Sequence, residues 1–346
     1  MSKGVLLVNL GSPDSTQVSD VRKYLDEFLM DERVIDSPYW LRALIVKGII
    51  LNTRPKKSAE AYKRIWWDEG SPLIVLTQRL QRKIQSRVSI PVEIAMRYGN
   101  PSIEAGIEAL HKKGVTQILL FPMYPQYAMA TTETILVLAE KIRQKKYPHI
   151  QITEIPAFYH RNDYIATLAQ SIKDEYSQDY LLFSYHGVPE RHIRKTDKTG
   201  AHKHTQFVND VYCCKPHSPE SQYCYRTHCY ETTRAVAELL QLPEGTYGTS
   251  FQSRLGSDPW LQPYTDVTIE KLAHDGIKNL AVVTPAFVSD CLETLEEIGM
   301  EGKEEFLQAG GLSFKLIPCL NDRDDWSDVI AQWITRWENL TDNYKK

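Results

Sequence analysis

At 346 residues, with 42% hydrophobic and 25% charged side chains, the chain is composed like a soluble globular protein of two domains, which excludes disorder, collagen-like repeats and a dominant coiled coil. Forty-one basic side chains against 44 acidic ones leave a net charge of −3, without the basic excess of a nucleic-acid binder. The 19 tyrosines and 7 tryptophans offer more ring surface than a core of this size needs, and large flat ligands bind against such surface.

In chain order, eight short β-branched runs read as buried strands: Val5–Leu10, Val92–Met96, Gln117–Phe121, Ile150–Ile155, Tyr180–Ser184, Gly248–Gln252, Leu280–Thr284 and Leu312–Ile317. Amphipathic stretches lie between most of them, at Val18–Met30, Ala59–Trp66, Thr77–Arg87, Thr132–Lys145, Asp163–Glu175, Thr232–Leu240 and Leu292–Gln308. Strand–helix alternation predicts parallel sheets covered on both faces. Uneven linkers favour two Rossmann-like domains of about four strands each over one closed barrel. The expected division is 1–160 and 161–320, with a Cys-rich insertion at 187–230 and a last helix, within 321–346, that packs back on the first domain.

No apolar run reaches the roughly 18 residues of a membrane span; the longest, Leu41–Leu51, is interrupted by Arg42 and Lys47. The N-terminus runs straight into strand-like sequence, so no signal peptide is expected. Six cysteines in such a chain point to thiols or metal ligands in a reducing, cytoplasmic setting.

Open α/β sheets bind ligands beyond the carboxyl ends of their strands. Three strand ends carry chemistry: His186-Gly187 after Ser184-Tyr185, the acids from Asp290 and Glu293 onward after Thr284, and Tyr124 and Tyr127 after Phe121. Asp290, Glu293, Glu297 and Glu301 recur at helical spacing. On spacing alone they read as a solvated helix face, and the alternative is a rail for a divalent cation or for protons. Cys213, Cys214, Cys224 and Cys229 gather in or just after an aperiodic loop, which suggests a metal and leaves Zn²⁺ and an iron–sulfur cluster both open. Cys291 and Cys319 stand alone and read as small core residues. No phosphate-binding glycine fingerprint appears, so no nucleotide is expected.

Seven short motifs in order, Leu7-Val8-Asn9-Leu10-Gly11-Ser12-Pro13, Met96-Arg97-Tyr98, Tyr124-Pro125-Gln126-Tyr127, Ser184-Tyr185-His186-Gly187, Phe251-Gln252-Ser253-Arg254, Pro259-Trp260-Leu261 and Ser289-Asp290-Cys291-Leu292-Glu293-Thr294-Leu295, together resemble the ferrochelatases. The resemblance implies two Rossmann-like domains with an active-site cleft between them, and insertion of Fe²⁺, as substrate, into protoporphyrin IX to give protoheme with loss of two protons. It places iron binding on His186 and Glu293, a helix-borne catalytic acid on Glu297, and the porphyrin lining on Arg97, Tyr98, Tyr124, Trp260 and Phe287. Cys291 stands where many members carry His, so an imidazole there is not essential. Animal members hold a [2Fe–2S] cluster through a C-terminal extension. No cysteine follows Cys319 here, so a cluster in this chain falls to Cys213, Cys214, Cys224 and Cys229. A chelatase for another metal or tetrapyrrole, and a heme-sensing binding protein, are the rival readings. Trp40–Leu51, with Arg42, Lys47 and Arg54, is expected either as a lip on a lipid surface or as an ordinary packed helix.

Overall fold

The computed structural model describes residues 2–207, 212–254, 256 and 258–339. Two short pieces of the sequence analysis, 208–211 of the Cys-rich insertion and 340–346 of the tail, lie outside the described residues. The chain divides into two units. Unit 1 holds Met1–Met123, Met129–Pro156 and Asn321–Lys346; unit 2 holds Tyr124–Ala128 and Ala157–Leu320.

Each unit is built on one four-stranded parallel sheet. In unit 1, β1 (Lys3–Ser12), β2 (Val92–Gly99), β3 (Gln117–Pro122) and β4 (Gln151–Glu154) lie in the order β2-β1-β3-β4. In unit 2, β5 (Tyr180–His186), β6 (Tyr247–Gln252), β7 (Asn279–Val283) and β8 (Ser313–Leu316) repeat it as β6-β5-β7-β8. All eight expected strands are present. Val5, Leu6, Leu7 and Val8 on β1 have no exposed surface, as a strand covered on both faces requires. In unit 2, Leu182, Leu280 and Val282 pack with Ile269, Ala273, Ile298 and Phe306 into one core.

The helices depart further from expectation. Ile103–Lys112 and Thr265–His274 are helical where periodicity gave no signal. Ser102 caps the first of them by accepting from the Ala105 N–H at 3.2 Å, satisfying one of the donors a helix start leaves open. Tyr225–Leu240 begins seven residues before Thr232, the expected start. Residues 39–65 run as one helical stretch, Tyr39–Ile45, a wide π turn over Val46–Ile50, then Leu51–Ile65 with Pro55 inside it. Proline cannot bond the carbonyl four residues back; that carbonyl, Leu51 O, accepts from Arg22 Nη1 at 2.7 Å instead. In unit 1 the final helix, Asp324–Asn339, stacks Trp333 on Phe121 at the end of β3, with ring centroids 5.8 Å apart.

Candidate functional site

In a sheet ordered β6-β5-β7-β8, the order reverses between β5 and β7, and open α/β sheets bind ligands beyond the carboxyl ends of the strands at such a reversal. His186 is the last residue of β5 and pairs with Gln252, the last of β6. Its Nδ1 lies 2.7 Å from Gly187 O. A carbonyl oxygen only accepts, so Nδ1 carries the hydrogen and Nε2 of the neutral ring keeps its lone pair. Tyr225 Oη donates to His186 O at 2.8 Å. Phe287, after β7, meets the imidazole edge-on at 6.3 Å.

Gly187 follows because nothing larger fits. Its N–H donates to Gln252 O at 2.7 Å, and a Cβ there would stand 2.7 Å from that oxygen and 3.3 Å from Trp260 Cε3. Trp260 is held in turn by a backbone bridge to Pro189, so its ring and Phe287 both flank the strand end.

Glu293 opens a ten-residue π-helix, Glu293–Gly302, and Glu297 lies on it. Gln252 fixes both: its Nε2 donates to Glu293 O at 3.0 Å and to Glu297 Oε2 at 3.4 Å. The Gln252 amide is oriented from behind, where Ser184 Oγ donates to its Oε1 at 2.9 Å. Ser253, at a left-handed φ of 66°, also donates to Glu297. Burial pushes the Glu297 carboxyl up and nearby Glu293 adds to it, against the opposing pull of Ser253 and His186. Glu297 therefore keeps a proton more readily than an ordinary glutamate. Glu297, Glu301 and Glu305 line, with Ser253, Arg254 and Asp266, a cavity of about 270 Å³. The acid stripe is thus half a buried wall rather than a wholly solvated face, and Asp290 is not part of it. That carboxylate is buried and accepts from Thr294 Oγ1 at 2.9 Å and from the Cys319 N–H at 3.4 Å.

Tyr124 is largely buried in unit 2. In unit 1, Arg97 and Tyr98 lie near the end of β2. Arg97 pairs with Asp31 and donates from Nε to Thr134 Oγ1 at 2.6 Å. Tyr98, expected on the pocket lining, has no exposed surface; its hydroxyl donates to Asp31 Oδ2 at 2.9 Å and its ring meets Phe28 edge-on. It is a buried support for the Arg97–Asp31 pair. Burial raises the Asp31 carboxyl, but hydrogen bonds from Thr134 and the Arg33 N–H, with the Arg97 charge, outweigh it and hold the group below its ordinary range. Asp31, Thr134, Gln252 and Ser253 were missed as site residues. Gln252 and Ser253 stood inside a quoted motif, whereas Asp31 and Thr134 carried no local signal.

The cysteine group is corrected in membership. Cys213, Cys214 and Cys224 come together with His202, their ligand atoms all within 4.8 Å of one another. Cys229 is elsewhere: it is fully buried, and burial pushes its thiol well above the ordinary range, so it stays protonated. The helix explains the exclusion. Cys224 is its N-cap and Cys229 is five residues on, about 140° round the axis from it. Cys291 and Cys319 are buried core thiols, as expected.

This fold, two parallel sheets of the same order, is shared with a solved chelatase. SirB from Bacillus subtilis, solved with Fe³⁺, superposes with a TM-score of 0.52 at 14% identity, over 97% of this chain and 95% of that one. The ferrochelatase family model matches residues 2–337. A ferrochelatase of Opitutus terrae is 48% identical over 97% of this chain and 98% of its own length, and one of Pseudomonas fluorescens is 47% identical over 94% and 96%. The chain belongs to the ferrochelatase family.

Proposed function

We infer that His186, Glu293 and Glu297 carry the reaction of this metal chelatase, insertion of ferrous iron into protoporphyrin IX with release of two protons, a step of heme biosynthesis. The observation that carries the reading is the strand end of β5, where the His186 imidazole, turned by Gly187 O, lies beside a helix whose Glu293 carbonyl and half-buried, proton-retaining Glu297 carboxyl are both held by the Gln252 amide.

One Fe²⁺ enters and two pyrrole protons leave, so the site must present a metal ligand and a route for both protons. No electron moves and no nucleotide is consumed. A planar porphyrin hides its nitrogen lone pairs from an approaching ion; aromatic walls that bind it bent supply the distortion from binding energy. Tyr124, Trp260 and Phe287 provide ring surface for that role. His186 Nε2 accepts a pyrrole proton or ligates the iron, and imidazole with the Glu293 carboxylate is a suitable Fe²⁺ donor set. Glu297 takes the proton onward, toward the cavity it shares with Glu301 and Glu305.

The test is anaerobic loss of porphyrin fluorescence with Fe²⁺. Wild type consumes protoporphyrin IX, while His186→Ala binds it and turns over at least about 100-fold more slowly. Undiminished turnover in His186→Ala removes both roles assigned to that residue. Faster turnover of coproporphyrin than of protoporphyrin reassigns the substrate.

In the same reading the enzyme works in the reducing cytoplasm, in keeping with six free cysteines, and the face of Trp40, Leu44 and Ile49, each more than 60% exposed, rests on a lipid surface. Arg42 has no part in that contact. It is buried and its Nη1 donates to Ile35 O at 3.0 Å and Ser37 O at 2.8 Å.

A further inference from the structure

We propose that His202, Cys213, Cys214 and Cys224 form a mononuclear, tetrahedral zinc site, and that neither Cys229 nor a [2Fe–2S] cluster belongs to it.

Donor chemistry comes first. Three thiols and one imidazole are a standard structural zinc set. His202 is fully buried, its Nδ1 is taken by Asp197 Oδ2 at 2.9 Å, and the same ring lies against the Cys213 and Cys214 sulfurs. Because Nδ1 faces a carboxylate, Nδ1 carries the hydrogen and Nε2 is the lone pair. A ligating histidine whose other nitrogen donates to a carboxylate is the usual outer-shell arrangement of a metal-bound imidazole. Asp197 also accepts from the His202 backbone N–H at 2.7 Å, so the ring is anchored twice.

Geometry then decides the nuclearity. Four ligands around one Zn²⁺ at about 2.3 Å stand about 3.7 Å apart along the tetrahedral edges. The Cys213 and Cys224 sulfurs are 3.4 Å apart, and no pair of the four ligand atoms exceeds 4.8 Å. A two-iron cluster divides its four protein ligands between two metals. Ligand atoms on different irons are then separated by the whole Fe₂S₂ rhomb, roughly 5.5 Å or more. As the structure places them, the four ligand atoms stand at the spacing of one ion and closer together than the rhomb asks. The sulfurs have further support from Thr227 Oγ1, 3.0 Å from Cys214 Sγ and 3.6 Å from Cys213 Sγ.

The experiment reads metal content, so it stands apart from the iron-insertion reading. Protein is purified anaerobically in a His186→Ala background, which keeps metal bound at β5 out of the count. One zinc per chain and no absorption between about 400 and 600 nm are expected. His202→Ala lowers zinc affinity by about tenfold or more. His202→Cys keeps it, and Cys229→Ser leaves one zinc in place, with circular dichroism showing each variant folded. Co²⁺ exchanged into the site gives the intense visible bands of a tetrahedral thiolate complex. Two irons with two sulfides per chain and a coloured protein overturn the proposal. So does a chain without stoichiometric metal. Zinc lost from folded Cys229→Ser but kept in His202→Ala overturns it as well, in favour of a four-cysteine set.

Discussion

Asp31 gathers more bonds than any carboxylate near β2, taking hydrogens from Thr134, Arg97, Tyr98 and the Arg33 backbone. Removing its charge leaves the Arg97 guanidinium, only 15% exposed, without a counter-ion. Asp31→Asn is expected to cost about 3 kcal/mol at pH 7, the scale for one broken partner of a buried pair. The pH dependence follows from the direction of the shift. A carboxyl held below its ordinary value of 3.8 adds stability that is fully present above that value and is lost as pH falls through the lower folded one. The gap between wild type and Asp31→Asn in urea midpoint therefore closes below about pH 3.8. A gap that persists unchanged into acid would mean that the carboxylate charge is not what stabilises this corner. His186 stood out in the sequence by its place at a strand end of a parallel sheet, whereas Glu293 was singled out only by the resemblance to the ferrochelatases, since spacing alone read it as part of a solvated helix face. Asp31 did not stand out, since its partners lie 66 and 103 residues away and no periodicity reports such a meeting.

At the scale of elements, the strands were readable because β-branched runs buried on both faces have few alternatives. The helices were less so. Thr265–His274 spends its core-facing positions on Thr265, Ile269 and Ala273, too little apolar content to show a stripe. The helix beginning at Tyr225 was read seven residues short, and Cys229 entered the metal group through its closeness in sequence to the other three cysteines. With the helix start at 225, the angle between residues 224 and 229 alone would have separated them. Tyr225 and Cys224 are neighbours, so the cysteine-rich loop and the β5 strand end share one helix start: Cys224 turns to the sulfurs and Tyr225 Oη holds His186 O. The β5–β6 junction is equally tight. Gly187→Ala inserts a methyl 2.7 Å from Gln252 O, which backbone must yield to accommodate. We expect a loss of about 1–3 kcal/mol in stability. Turnover should fall more steeply than that, since the same shift moves Gln252 away from Glu297 and geometric errors near 1 Å cost about 100-fold. Thermal unfolding and steady-state rates check the two effects separately, and wild-type turnover in a folded variant would show that the junction does not position Gln252.

Across the whole molecule, the same strand order serves twice, and unit 2 alone carries His186, Glu293, Glu297 and the zinc residues. Unit 1 is distinguished instead by what it leaves uncovered. No helix among the described residues is long and apolar enough to cross a membrane, yet Tyr39 and Trp40 are 67% and 68% exposed, with Leu44 and Ile49 at 61% each. The π turn at Val46–Ile50 shifts the helical phase, so Ile49 stays outside where a regular α-helix would have carried it further round. Exposed Arg54, Lys56 and Lys57 follow in the next turns. Under the proposed lipid contact, these apolar side chains enter the interface and the basic ones beside them each add about 1 kcal/mol of attraction to anionic lipid. Because the chain's net charge is −3, that attraction is local and does not come from the protein's overall field. Wild type should co-sediment with vesicles containing phosphatidylserine and less so with phosphatidylcholine alone. Trp40→Ser with Leu44→Ser should lower that binding at least tenfold without changing iron insertion in detergent. Raising salt should weaken the binding of wild type and of the double variant by a similar factor, since both keep the same basic residues. Equal binding by both proteins would return this face to an ordinary solvent-exposed helix.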